Sequence, residues 1–176
     1  AAMGVGQQPP NPLEYSWTMR ALLVSMTDWV VTGTEPPASQ VPRLSDGTLV
    51  PITKLKFPRL SGVQSPATVQ GPRYDGRDLP FLVPQVDVDG NELAGIRTAE
   101  QRVPMATYTG WNFRGAAIGG TNQLVNLLGS ALPFAKTKAE RETAGDPRPS
   151  VEERYPSKDA YLAKASVVAD ELVKGR

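Results

Sequence analysis

The chain has 176 residues, 40% of them hydrophobic and 21% charged, with a formal net charge of +1. That length supports one domain with a sizeable core, while the near-neutral charge gives no electrostatic basis for binding nucleic acid or an acidic membrane surface. Cys and His are both absent, which removes disulfides, thiolate sites, the commonest general base and the commonest metal ligand. Pro (17) and Gly (16) are abundant, most of them in residues 1–120, which predicts a loop-rich first two-thirds with short elements.

Ala1 to Gly6 is too short for a secretory signal and lacks a basic start. Gln7 to Pro12 (QQPPNP) reads as a stiff, extended lead-in. A helix follows, capped either by Asn11 with Pro12 and Glu14 as a capping box, or starting nearer Ser16. It stops at Gly33. Leu22, Met26, Trp29 and Val30 lie on one stripe, which Leu23 and Val24 widen, so this helix is expected to pack against more than one layer. Trp17 and Trp29 read as core or interface aromatics. The apolar region Ala21 to Val31 is broken by Ser25, Thr27 and Asp28 and falls short of the roughly 20 apolar residues that span a bilayer.

Leu44 to Val50 reads as a small hairpin with Asp46-Gly47 at its turn. Residues 53–80 form a charged, Pro- and Gly-bearing stretch that Phe57, Leu60 and Val63 are expected to pin down. A loop of that length is easier to understand lying over a larger body. Val86 and Val88 then lead into Asp89-Gly90-Asn91, read as a two-residue hairpin loop, with Leu93 to Arg97 leading out. Val103 to Tyr108 suggests a further strand, with Pro104 restricting it to an edge or bulge. Thr121 to Gly129 reads as a short capped helix. Thr137 with Glu140 and Ser150 with Glu153 form capping boxes, the first followed by a stop at Gly145. Ser157 opens a last helix, Lys158 to Lys174, with Tyr161, Leu162, Ala165, Val168, Ala169, Leu172 and Val173 at helical spacing. Lys174 and Arg176 suit its C-terminal dipole.

Without His no Ser-His-acid triad can be built, and no G-x-S-x-G elbow exists. Ser130 lacks the second glycine and reads as the terminus of a helix. Asp87, Asp89 and Asn91 match the start of a calcium loop, but Glu92 stands where its glycine belongs and Thr98 where its bidentate carboxylate belongs, so a turn explains them better. Gly115 to Gly120 has no Lys for a phosphate loop. Asp146-Pro147-Arg148 and Glu152-Glu153-Arg154 read as salt bridges and caps, and no carboxylate pair is singled out for glycosidic chemistry. No cofactor and no metal is called for. The corner from Tyr108 to Arg114 offers the best local ligand contact, through Tyr108, Trp111, Asn112 and Arg114. Its bland counterpart is a buried aromatic corner in which Arg114 bridges backbone carbonyls.

A family resemblance adds to this reading. It is carried by Pro9-Pro10-Asn11-Pro12, Met19 to Val24 with Trp29-Val30, Gly33 to Pro37, Pro42-Arg43-Leu44 with Gly47 to Val50, and Leu82-Val83-Pro84 through Asp89 to Arg97. It continues in Ala106 to Asn112, Gly129-Ser130 with Pro133-Phe134, and Gly145 to Arg148 through Glu153-Arg154-Tyr155. In order and density these stretches resemble the C-terminal part of a bacterial family of alpha/beta hydrolase domain-containing proteins, over nearly the whole chain. The resemblance implies an alpha/beta hydrolase fold, although this chain by itself reads as α+β. It also implies a nucleophile and His upstream of the Pro-Pro-Asn-Pro segment, so no catalytic residue maps here. The implied organisation is a helix completing the hydrolase core (1–33), a loop-rich extension of short strands and hairpins (34–120) and a helical C-terminal segment (121–176). The implied partner is the upstream catalytic part of the same protein, and the implied substrate a small ester. An independent, non-catalytic binding or interaction module is the alternative.

Overall fold

The computed structural model describes residues 4–69, 73–79 and 81–175. Helix α1 (Ser16–Thr32) comes first. Strands β1 (Leu49–Pro51), β2 (Arg73–Tyr74), β3 (Arg77–Asp78) and β4 (Leu82–Pro84) follow, then helix α2 (Ala99–Arg102), β5 (Ala106–Thr109) and β6 (Ser130–Pro133). Helices α3 (Lys138–Ala144), α4 (Val151–Arg154) and α5 (Lys158–Lys174) close the chain. The described strands form three separate antiparallel pairs, β1–β4, β2–β3 and β5–β6. The described residues are therefore α+β, with five α-helices and short antiparallel ladders.

The β5–β6 pair is the centre of the molecule, in the register Ala106↔Pro133 to Thr109↔Ser130. Gly129 makes this possible, because a Cβ there would stand 2.2 Å from the Thr109 carbonyl oxygen. The lead-in segment lies along the same unit: Ala131 N–H donates to Pro9 O at 2.9 Å and Asn11 N–H to Gly129 O at 3.1 Å. Two buried amides serve as backbone substitutes. Asn91 accepts from Tyr108 N–H at 2.8 Å and donates to Ala106 O at 3.2 Å, pairing the edge of β5 that β6 leaves open. Asn112 accepts from Gln8 N–H at 3.2 Å and donates to Gln8 O at 2.9 Å, fastening the lead-in. Val103, Ala106, Phe113, Ala131, Leu132, Phe134 and Val168 are buried around this unit, beside buried Thr107, Thr109, Ser130, Arg148 and Ser150.

Arg148, 4% exposed, binds this core to the C-terminal helices. Its guanidinium donates to Thr107 Oγ1 at 2.7 Å, to Leu132 O at 2.9 Å and to Asp146, and it stacks over Phe134. Arg154 covers the same ring at 4.1 Å and pairs with Asp89. These two arginines join the turn at Asp89, the β5–β6 pair and α4 into one unit. Both capping boxes form, and α3 ends at Gly145. Helix α5 runs between Ser157 and Gly175, presenting Tyr161, Ala165, Val168 and Leu172 inward while Leu162, Ala169 and Val173 are exposed. Arg176 lies outside the described residues.

Several expectations are corrected. Helix α1 starts at Ser16 with Tyr15 as its cap, and Asn11 accepts from Leu13 N–H and donates to Thr109 O instead of capping. The Asp46-Gly47 turn forms, but Val50 pairs with Val83 of β4, not with its own neighbour. The Asp89 turn is longer than a two-residue loop: one bridge, Val86↔Glu92, closes it, and Leu93 to Arg97 makes no strand. Thr121 to Gly129 is not helical. Its donors are spent elsewhere, Gln123 N–H on Gly120 O and Val125 N–H on Asn112 O, and Leu127 has φ 53°. Ser130 accordingly opens strand β6 and does not end a helix.

Helix α1 is turned inside out relative to the rest of the chain. At about 100° per residue, Trp29, Leu22, Met26, Met19, Val30 and Leu23 fall within an arc of about 120°, and all six are exposed. Ser16, Thr18, Ala21 and Ser25 are the half-covered positions, Thr18 and Ser25 bordering the arc, while Trp17, Val24 and Val31 are exposed outside it. No residue of the helix is buried.

Candidate functional site

The corner after β5 forms a small, mainly apolar pocket of about 230 Å3. Tyr108 and Trp111 stand in its wall, joined by Phe57, Phe81 and Leu124. Phe57 and Trp111 meet edge to face at 5.3 Å, and Trp111 and Phe113 do so at 5.8 Å. Such T-shaped pairs match the positive edge of one ring to the negative face of another, and so hold the walls in place. Gly90 keeps the floor thin: its φ is +84°, and a Cβ there would lie 2.9 Å from Thr107 Cγ2 and 3.1 Å from Phe57. Glu92 is the acidic residue of the lining, with no side-chain hydrogen bond or ion pair among the described residues. Burial pushes its carboxyl above the usual carboxylate range. Tyr108 is also raised, by burial first and then by Tyr161 and Glu100 nearby, which keeps its phenol protonated.

The four residues singled out in this corner separate into two roles. Tyr108 and Trp111 line the pocket. Asn112, fully buried, holds the lead-in segment and accepts from Val125 N–H through its carbonyl. Arg114 donates through Nε to Gly119 O at 2.9 Å and through Nη2 to Ile118 O at 3.0 Å, so it bridges backbone carbonyls. Sequence reasoning missed Glu92 and Phe57 as pocket residues. The turn at Asp89 carried a signal, but nothing local in the sequence brings residue 57 to residue 111.

The other candidate positions are engaged in structure. Ser130 is fully buried, and its Oγ lies 2.7 Å from Thr109 Oγ1. Asp87 accepts from the Asp89 and Asn91 N–H groups and pairs with Arg97 at 2.8 Å, while Asp89 is held by Arg154. Two of the carboxylates a calcium loop would use thus face arginine. Among the described residues no group of three His, Cys, Asp or Glu is placed to hold a metal, and no helix is long and apolar enough to cross a membrane.

A second, wider cleft of about 1060 Å3 separates α1 from the body. Trp17, Ala21 and Leu22 line one side, and Pro37, Ile96 and Leu172 are among the residues opposite. A few charged groups stand at it, among them Arg97, Arg102 and Glu171, the last two paired with each other.

This α+β assembly, organised on β5–β6 with arginine-clamped C-terminal helices, matches a family model for the alpha/beta hydrolase domain over residues 2–176. The chain belongs to that alpha/beta hydrolase family. Neither curated proteins nor solved structures give a match.

Proposed function

We propose that this chain is the C-terminal portion of a serine hydrolase of esterase type, completing its fold and helping to shape its substrate pocket while the catalytic triad lies on the upstream part of the same protein. The observation that carries this reading is α1. Six of its large apolar side chains lie exposed along one arc, and each one left in water forgoes roughly 1.5–3 kcal/mol of burial. The helix is also prepared for an apolar environment in its polar groups. Ser25, Thr27 and Thr32 donate their hydroxyls to the carbonyls of Ala21, Leu23 and Asp28 at 3.1, 2.9 and 2.7 Å. A covering surface would therefore leave none of these donors unsatisfied. Arg20 and Asp28 are the charged residues on the helix, and they lie outside the apolar arc. In this reading, 1–33 completes the hydrolase core, 34–120 extends over it, and 121–176 braces the extension.

The chemistry agrees with a role that is not catalytic for this chain alone. A serine hydroxyl needs a positioned base of suitable pKa. Ser130 has Thr109 for its neighbour, and the chain has no His. A fluorophosphonate probe, which labels activated serines, tests the assignment. It should leave this chain unlabelled alone and should label the upstream polypeptide when the two are expressed together. Labelling of Ser130, abolished by Ser130→Ala, would overturn the reading. The alternative, an independent binding module, is favoured by one observation, the Trp111 pocket, whose lining comes from this chain.

A further inference from the structure

We propose that the pocket walled by Phe57, Phe81, Tyr108 and Trp111 binds a small organic ammonium ion, with the Glu92 carboxylate as its counter-charge. Such binding needs only this pocket, whatever the role of α1. Glu92 is set among aromatic and aliphatic walls, and no cation, hydroxyl or amide of the described residues is bonded to its carboxylate. Carboxylates drawn out of water are ordinarily paired or hydrogen-bonded, and two acids nearby in the chain follow that rule: Asp87 has Arg97 and Asp89 has Arg154. Glu92, half-buried, has no such partner among the described residues.

The walls suit a cation better than any other partner for that carboxylate. Four aromatic residues line the site, and the faces of aromatic rings attract ammonium groups, most strongly where water is excluded. A neutral apolar ligand would use the rings but leave the carboxylate unpaired. An inorganic cation would satisfy the carboxylate but find no further oxygen ligands of the kind it needs. An alkylated ammonium uses both, because its charge is spread over methyl or methylene groups that pack against rings. The size fits as well: about 230 Å3 exceeds the roughly 150 Å3 cavity that accepts benzene. The site is also open to a side chain at Gly110, where a Cβ would stand 3.8 Å from Glu92 Oε1, so a larger side chain there would crowd the carboxylate.

Glu92 and Tyr108 are the titratable groups of the described lining. Since burial raises both, the phenol stays neutral, and the carboxylate must give up its proton for the cation to bind. Binding therefore strengthens as pH rises through the raised Glu92 value and weakens as pH falls through it.

Choline and its neutral isostere 3,3-dimethylbutan-1-ol separate charge from shape. Titration calorimetry on the full 176-residue chain at pH 8 should give saturable choline binding at least about tenfold tighter than binding of the alcohol. Glu92→Gln should erase most of that preference, and Gly110→Leu, which leaves the carboxylate in place but fills the approach, should abolish binding of both. Equal affinity for the two probes, no saturable choline heat on the unaltered chain, or choline binding unchanged between pH 8 and pH 4 would each overturn the proposal. The comparison on the unaltered chain decides it even if a variant fails to fold.

Discussion

Arg148 is the residue on which most of the described core converges. It is paired with Asp146 and bonded to Thr107, Leu132 and Pro133. Arg148→Met should leave a buried carboxylate and several carbonyls without donors, costing about 3–5 kcal/mol in urea denaturation. A loss below 1 kcal/mol would show that the network is not the clamp described here. The pH dependence follows from its partner. Burial opposes ionisation of Asp146, but the Arg148 side chain and backbone N–H, with Arg141 further away, outweigh it and hold the carboxyl below its ordinary value of 3.8. The folded value is depressed, so this contribution is complete above pH 3.8 and is lost as pH falls through the lower folded value. Glu92 acts in the opposite sense: its raised carboxyl favours the folded state at low pH, and that effect fades as pH rises through the raised value. Urea midpoints measured from pH 7 to pH 2 should fall at the acid end, and Asp146→Asn should flatten that fall. Gly129→Ala should disrupt the β5–β6 pair, since its Cβ would meet the Thr109 carbonyl. The expected cost is about 1–3 kcal/mol or more, from overpacking against backbone.

At the scale of elements, the structure depends on local signals in its last third and on distant partners in its middle. The Ser150 box on α4 joins a fully buried hydroxyl to Glu153, with Ser150 Oγ donating at 2.8 Å and accepting from Glu153 N–H at 3.3 Å. Ser150→Ala should cost about 1 kcal/mol, read as a lower thermal midpoint with α5 retained by circular dichroism. A capping box needs only residues three apart, and for that reason the Thr137, Ser150 and Ser157 starts and the span of α5 were legible in the sequence. The turns at Asp46 and Asp89 were legible for the same reason. Their strands were not, because Val50 chooses Val83 and β5 chooses Ser130 to Pro133, and pairing over such separations leaves no periodic trace. Thr121 to Gly129 misleads because Leu124, Leu127 and Leu128 imitate helical spacing. In the fold Leu124 bridges to Phe113, while Leu127 is 97% exposed. The pocket was half legible. Aromatic density around Trp111 marks the corner, but Glu92 reads as part of a turn and Phe57 as an anchor for a loop. Their meeting depends on the whole path between residues 57 and 111.

For the whole molecule, the central claim is that α1 belongs to a surface shared with an upstream hydrolase body. Charge on the apolar arc should therefore act on assembly more than on this chain's own fold. Leu23→Glu combined with Val30→Lys should leave the unfolding free energy of the chain within about 0.5 kcal/mol, as surface changes do, while preventing co-purification with the upstream polypeptide. Amide hydrogen exchange along α1, with this chain alone and together with that polypeptide, tests the claim most directly. Local opening free energies follow local burial. The account predicts α1 amides that exchange fast in the isolated chain while β5 and β6 stay protected, and protection of Leu22 to Val30 that rises when the upstream part is present. Amides of α1 already as protected as those of β5 in the monomeric chain, or unchanged on adding the upstream part, would contradict it.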